Sequence, residues 1–173
     1  DLAGIEDLLG AQNEFAVTAI FDLDGDTGTT FDQVTLNSYE LIGLGDTAVT
    51  ETGMSGNDLL MGSLAGDSVD GGEGDDLILT GGGSDTVIGG TGDDRLGGGA
   101  DGDSFVFRAG DGLDRILDYD AAEDEIVFDG LAFGDLTIAD TGTGDVSITY
   151  SGGVLTVENA SVADFLEQEF VFV

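Results

Sequence analysis

Between Gly53 and Val106 an apolar side chain falls at every ninth position: Leu60, Val69, Ile78, Val87, Leu96 and Phe105, with glycine and polar residues filling most of the intervals. A period of nine is neither the 3.6 of a helix nor the simple alternation of a long strand. Each apolar residue is instead the centre of a three-residue stretch preceded by a Gly-rich one. The spacing predicts a short strand per unit, its middle side chain pointing inward because side chains alternate across a strand, then a turn. Two units, eighteen residues, then complete one coil with a turn on each side, and turns two units apart stack on the same edge. The predicted fold is all-β, a parallel β-roll over residues 53–128. The pattern fades after Phe107 and Arg108. Gly110-Asp-Gly-Leu-Asp-Arg-Ile116 repeats it with Ile116 as the inward residue, and Asp118-Tyr-Asp-Ala-Ala-Glu-Asp-Glu-Ile126 repeats it without glycines.

The flanks have other periods. In residues 1–52, Glu14 to Asp22 and Phe31 to Leu36 read as strands of a β-rich N-terminal segment. In residues 129–173, Asp135–Ala139, Asp145–Tyr150 and Val154–Glu158 alternate with period two, separated by Thr141-Gly-Thr-Gly144 and Ser151-Gly-Gly153, both hairpin-grade turns. They predict an antiparallel β cap. Ser161 followed by Asp164 has the form of a helix N-cap, so one short C-terminal helix is expected through about Glu167. Phe170-Val-Phe-Val173 would cap the core if packed against the sheet.

The polar positions carry the chemistry. The sixth residue of each unit is Asp: Asp58, Asp67, Asp76, Asp85, Asp94 and Asp103, with Asp114 and Asp124 in the same role in the two degenerate units. Glycines at Gly56, Gly72, Gly74, Gly81, Gly83, Gly90 and Gly92 supply turns in which backbone carbonyls can face a common point. Carboxylates and carbonyls together are what a hard cation such as Ca2+ recruits, six to eight oxygens at a time. Stacking pairs Asp58 with Asp76, Asp67 with Asp85, Asp76 with Asp94, Asp85 with Asp103, and Asp94 with Asp114, so about four or five ions are expected. Asp118, Asp120 and Asp124 either finish an ion site or form an acidic solvated face. A flexible Gly/Asp linker would have no reason to place an apolar residue in every unit, and a phosphate loop would need the Lys-Ser/Thr that is missing here. Asp22, Asp24 and Asp26 resemble the start of a loop wrapping one Ca2+. Gly falls at 25 and 28 and Gln stands at 33 where a bidentate Glu belongs, which favours an ordinary hairpin loop.

Charge sharpens this picture. Three Arg, no Lys and 37 acids give a formal net charge of −34. Nucleic acid is excluded as a partner, since phosphate binding needs a basic surface, and anionic membrane surfaces are disfavoured. Such charge opposes compaction unless cations neutralise it, so folding is expected to be coupled to metal binding. There is no Cys and no His, which removes disulfides, thiolate sites and the commonest general base. No segment has the length of a transmembrane helix, and the N-terminus lacks the basic and apolar regions of a secretory signal.

The nonapeptides, Phe105-Val-Phe107 with Gly110-Asp-Gly112 after them, Asp118-Tyr-Asp120 and the Phe-Val-Phe-Val end resemble the C-terminal region of RTX proteins, whose repeat reads G-G-x-G-x-D-x-U-x. The resemblance covers residues 53–173. It implies a β-roll that forms in extracellular calcium. It also implies a secreted or cell-surface location in a Gram-negative bacterium, reached through a type I ABC transporter that reads an uncleaved C-terminal signal. Ala65 and Asp101 replace the fourth-position Gly and Thr80 the first, so some ion sites are expected to be altered. The leading reading is a non-catalytic calcium-binding module. The alternatives are a self-assembling surface or matrix protein, joined through a roll end or strand edge, and the C-terminal part of a secreted enzyme such as a polysaccharide-modifying one. Without His, Cys or Lys only carboxylate chemistry would be open to it, and no distinct catalytic pair stands out.

Overall fold

A computed structural model describes residues 48, 50–53, 55–165 and 170–173. The strands expected within 14–22 and 31–36, and the Asp22/Asp24/Asp26 loop, lie outside the described residues. Among the described residues thirteen strands form two sheets. One sheet holds β1 (Thr50–Thr52), β3 (Ser68–Glu73), β5 (Thr86–Thr91), β7 (Ser104–Arg108), β9 (Glu125–Asp129) and β13 (Phe170–Phe172), in that order and all parallel. The other holds β2 (Leu59–Met61), β4 (Leu77–Gly82), β6 (Arg95–Ala100) and β8 (Leu113–Ile116), parallel to one another. It continues through β12 (Gly153–Val157), parallel to β8, to β11 (Val146–Tyr150) and β10 (Thr137–Asp140), which are antiparallel. From β1 to β9 the chain switches sheets at every turn, as two units per coil require.

Register follows the repeat. Ser68 lies opposite Thr86, and Thr86 opposite Ser104; on the other sheet Leu59 lies opposite Leu77, and Leu77 opposite Arg95. The inward column Leu60, Val69, Ile78, Val87, Leu96, Phe105, Ile116 and Ile126 is buried. A one-residue slip would turn this column out to water, so burial itself fixes the register. The strands are longer than the predicted three residues. β3, β4, β5 and β6 each run six residues, through the first glycines of the next unit. Pairing across coils at Gly72–Gly90 and Gly81–Gly99 holds these glycines in the ladder.

The C-terminal end closes the core with aromatics. Phe107, Phe128, Tyr150 and Phe170 are buried. Phe128 meets Tyr150 edge-on at 5.4 Å and Phe170 at 5.7 Å between ring centroids. The antiparallel strands do not stand apart as a separate sheet: β12 pairs with β8 and prolongs the roll. The terminal Phe170–Phe172 runs parallel to β9 in the opposite sheet.

The expected C-terminal helix is corrected. Ser161 and Asp164 do pair, the Ser161 N–H and hydroxyl each donating to Asp164 Oδ2 at 2.8 Å. What they start is a 3-10 turn, Val162–Asp164. No α-helix occurs among the described residues, where only this turn and Phe133–Asp135 are helical. Phe165 leaves the helical path to bury itself and stack on Tyr119 at 5.6 Å.

Candidate metal centre

Each turn ends on the sixth-position Asp, and these side chains do not point into water. Asp58, Asp67, Asp76, Asp85, Asp94, Asp103 and Asp114 are all buried. They form two ladders, one per edge. On the first edge the N–H of Asp58 donates to Asp76 Oδ1 at 2.8 Å, that of Asp76 to Asp94 at 2.8 Å, and that of Asp94 to Asp114 at 3.2 Å. On the second edge Asp67 donates to Asp85 at 2.7 Å, Asp85 to Asp103 at 2.9 Å, and Asp103 to Asp124 at 2.9 Å. Every predicted pair is brought together, and Asp124 completes the second ladder although its unit has no glycines.

One oxygen of each carboxylate is thus used by the fold. In four of them the other is not: Oδ2 of Asp76, Asp85, Asp94 and Asp103 is buried with no hydrogen-bond partner. An orphaned buried oxygen of this kind costs on the order of 1–3 kcal/mol, more if charged, and calls for a cation or a proton. Burial pushes the Asp76 carboxyl up to about 7, opposed by the Asp58 N–H and reinforced by the charges of Asp94, Asp58 and Asp75. Burial likewise lifts Asp94 and Asp103 to about 6 and Asp114 to about 7. Asp85 and Asp124 move in the same direction for the same cause.

Backbone oxygens converge beside the orphans. A Cβ added at Gly71 would collide with both Asp76 Oδ2 and the Gly89 carbonyl of the next coil. The space that Gly leaves empty is therefore faced by a carboxylate and a carbonyl from different coils. Gly74, at φ +125°, does the same for the Gly56 carbonyl. Among the described residues no three acidic side chains gather at one point. Any ion here would take most of its shell from carbonyls, with one or two carboxylates. That oxygen-only set suits Ca2+, which accepts six to eight ligands in irregular geometry, better than octahedral Mg2+.

The predicted positions are not equivalent. Gly56, Gly72, Gly74, Gly81, Gly83, Gly90 and Gly92 all have positive φ, between 95° and 145°. Asp101 stands where a fourth-position Gly belongs and still takes φ +73°, a conformation Asp tolerates better than most residues. Asp67, Asp114 and Asp124 find protein donors for both oxygens. Ser63 N–H and hydroxyl bond Asp67 at 2.6 and 3.0 Å. Tyr150 donates to Asp114 Oδ2 at 3.3 Å, and the Asp120 N–H to Asp124 Oδ2 at 2.8 Å.

Three features escaped the sequence reading. An outer ladder runs along the first edge, Asp75 N–H to Asn57 Oδ1, Asp93 N–H to Asp75 Oδ1, and Leu113 N–H to Asp93 Oδ1, at 2.9, 2.9 and 3.1 Å. The amide or acid at the fifth position of alternate units was its signal. Asp118 caps two backbone N–H groups, those of Gly98 and Gly99, at 3.1 and 3.0 Å. Asp111 is buried beneath the Arg108 N–H, at 2.6 Å.

Residues 52–87, 70–105 and 79–116 match the RTX calcium-binding nonapeptide repeat (4 copies). No curated protein matches the chain in sequence. Among solved structures, the R3 subunit of the AlgE6 mannuronan C5-epimerase from Azotobacter vinelandii superposes with a TM-score of 0.57 at 27% identity. The match covers 69% of this chain and 80% of that one. The R2 subunit of the same epimerase gives 0.55 at 27% identity, over 73% and 93%. The extracellular lipase LipA from Serratia marcescens gives 0.57 at 23% identity, covering 72% of this chain, which spans only 21% of the lipase. The last likeness speaks for the fold alone.

Proposed function

Since residues 52–116 are RTX calcium-binding nonapeptide repeats wound into a β-roll, we propose that the chain is a non-catalytic extracellular module whose folding is driven by Ca2+ after secretion. The observation that carries this is the row of buried carboxylate oxygens without donors, at Asp76, Asp85, Asp94 and Asp103, with a carbonyl of the next coil facing the same space as that of Asp76. Without a cation these charges oppose the fold; with Ca2+ they become part of its cross-coil bonding. The ligands would be these Asp carboxylates with the carbonyls of the turn glycines. The coupling would keep the chain unfolded where calcium is scarce and fold it where calcium is abundant. The match to the calcium-binding repeat supports such a cycle.

Export through a type I transporter fits the same scheme. The last residues, Phe170–Val173, would be read in the unfolded chain, and Phe170 is buried against Phe128 once folded. The test is a titration followed by circular dichroism from chelator into Ca2+ or Mg2+. Ca2+ should produce β structure cooperatively and Mg2+ should not. A spectrum indifferent to calcium would remove the reading.

A further inference from the structure

The two ladders end alike. On the first edge the last carboxylate is Asp114, whose Oδ1 accepts the Asp94 N–H at 3.2 Å and whose Oδ2 accepts the Tyr150 hydroxyl at 3.3 Å. On the second edge it is Asp124, whose Oδ1 accepts the Asp103 N–H at 2.9 Å and whose Oδ2 accepts the Asp120 N–H at 2.8 Å. One step before each end, at Asp94 and Asp103, Oδ2 is buried without a donor, as it is at Asp76 and Asp85. The space around the end carboxylates differs too. Where a unit begins with Gly53, Gly62, Gly71, Gly89 or Gly98, a Cβ added to that glycine would collide with Oδ2 of the unit's own Asp. The glycine thus keeps a place open beside the oxygen. The units ending in Asp114 and Asp124 begin instead with Ala109 and Tyr119, and Tyr119 stacks on Phe165 at 5.6 Å. Nor does a further repeat lie beyond Asp114. Leu113 is paired with Val154 of the β11–β12 hairpin, and the Gly110 N–H donates to the Ser151 carbonyl at 2.9 Å.

We propose that Asp114 and Asp124 terminate the ladders without binding ions: the rows of ions end at Asp94 and Asp103, and the Tyr150 hydroxyl and the Asp120 N–H hold the last carboxylates where an ion would otherwise be needed. This rests on the calcium reading of the donorless ladder oxygens. A buried carboxylate oxygen requires a donor or a cation. Both terminal donors come from beyond residue 116, where the matched repeats stop. Each takes up the Oδ2 that an ion would have to approach. Tyr150 is itself held by the rings of Phe107 and Phe128, at 6.4 and 5.4 Å between centroids. Its hydroxyl therefore ties the aromatic end of the core to the first ladder. Through Asp114 it positions the Asp94 backbone beside the last ion of that edge.

The test counts ions by native mass spectrometry on the full chain in calcium acetate, for the wild type, D94N, D103N, D114N and D124N, with circular dichroism to establish that each is folded. D94N and D103N should each lose at least one ion, and D114N and D124N none. In D114N the carboxamide oxygen still accepts the Asp94 N–H, and the Tyr150 hydroxyl can turn to accept from the new N–H2 group. Y150F gives a second measurement that does not depend on those variants folding. It removes the donor and keeps the ring, so it should lower the folding constant roughly 5- to 150-fold. That loss should be the same in urea with saturating Ca2+ as against trimethylamine N-oxide in chelator. An ion on Asp114 would satisfy Oδ2 in calcium and confine the loss to chelator. A folded D114N or D124N that loses an ion as D94N does, or a Y150F penalty that calcium abolishes, would overturn the assignment while leaving calcium binding in place. A wild type that binds no ion would remove the calcium reading itself.

Discussion

Replacing Asp76 by Asn has opposite expected effects with and without calcium. The carboxamide keeps the oxygen that accepts the Asp58 N–H at 2.8 Å and puts an N–H2 group where the orphaned Oδ2 stands, beside the Gly89 carbonyl. In chelator at pH 8 the wild-type carboxylate is held ionised in a buried place, where its folded pKa is about 7 against 3.8 for the free group. For an acid raised on folding, the folded state binds the proton more tightly. The ionised form therefore destabilises above the folded pKa, and the penalty is relieved as pH falls from about 7 toward 3.8. At about 1.4 kcal/mol per pH unit the penalty reaches on the order of 4 kcal/mol. Imperfect bonding of the new amide returns about 1–2 kcal/mol of this, leaving a net gain of about 2–3 kcal/mol for D76N without metal. In calcium the sign reverses, because the variant has lost an anionic ligand. The assay is a folding midpoint by circular dichroism, in urea with Ca2+ and against trimethylamine N-oxide in chelator, since that osmolyte folds chains that are unfolded in buffer. A D76N protein less stable than wild type in chelator would refute the argument that the buried charge opposes the metal-free fold.

Lowering the pH in chelator from 8 to about 5 should raise the β content of the wild type, as protons take the place of cations at Asp76, Asp94 and Asp103, whose values lie at about 6 to 7; the same acidification should weaken calcium affinity, read by isothermal titration. Gly71→Ala places a Cβ against Asp76 Oδ2 and the Gly89 carbonyl; it should lower both melting temperature and ion count, whereas Gly134→Ala, at an open position, should change neither. Phe128→Ala removes a fully buried ring that touches Phe107, Tyr150, Phe170 and Phe172; it should cost about 3–5 kcal/mol in calcium urea melts while ion binding by the upstream turns persists.

The roll was legible because its information is local and repeated. One apolar residue and one Asp per unit determine which side chains go in and which turns stack, and the buried column and both ladders follow them. Features that depend on a single exchange were harder to read. Ser63 has the size of a turn residue, and nothing in its own unit indicates that its N–H and hydroxyl reach Asp67. Strand length was underestimated because glycine is a poor strand former, yet Gly72 and Gly90 are held in the ladder by their neighbours on adjacent coils. The capping pair at Ser161 and Asp164 was real. Its continuation into a helix was not, because burial of Phe165 outweighs the local start signal. The parallel pairing of Phe170–Phe172 with β9 joins residues more than forty apart, and no local pattern encodes such a partner.

The central claim is that cations sit between the coils, at the spare oxygens of the ladder. Crystals grown with Ca2+ and soaked in Tb3+ would locate them by anomalous scattering. The account predicts peaks within about 2.3–2.6 Å of Asp76 and Asp94 Oδ2, each also touched by carbonyls from two coils. Peaks confined to exposed acids such as Asp118 and Asp120, with the ladder oxygens bare, would contradict it.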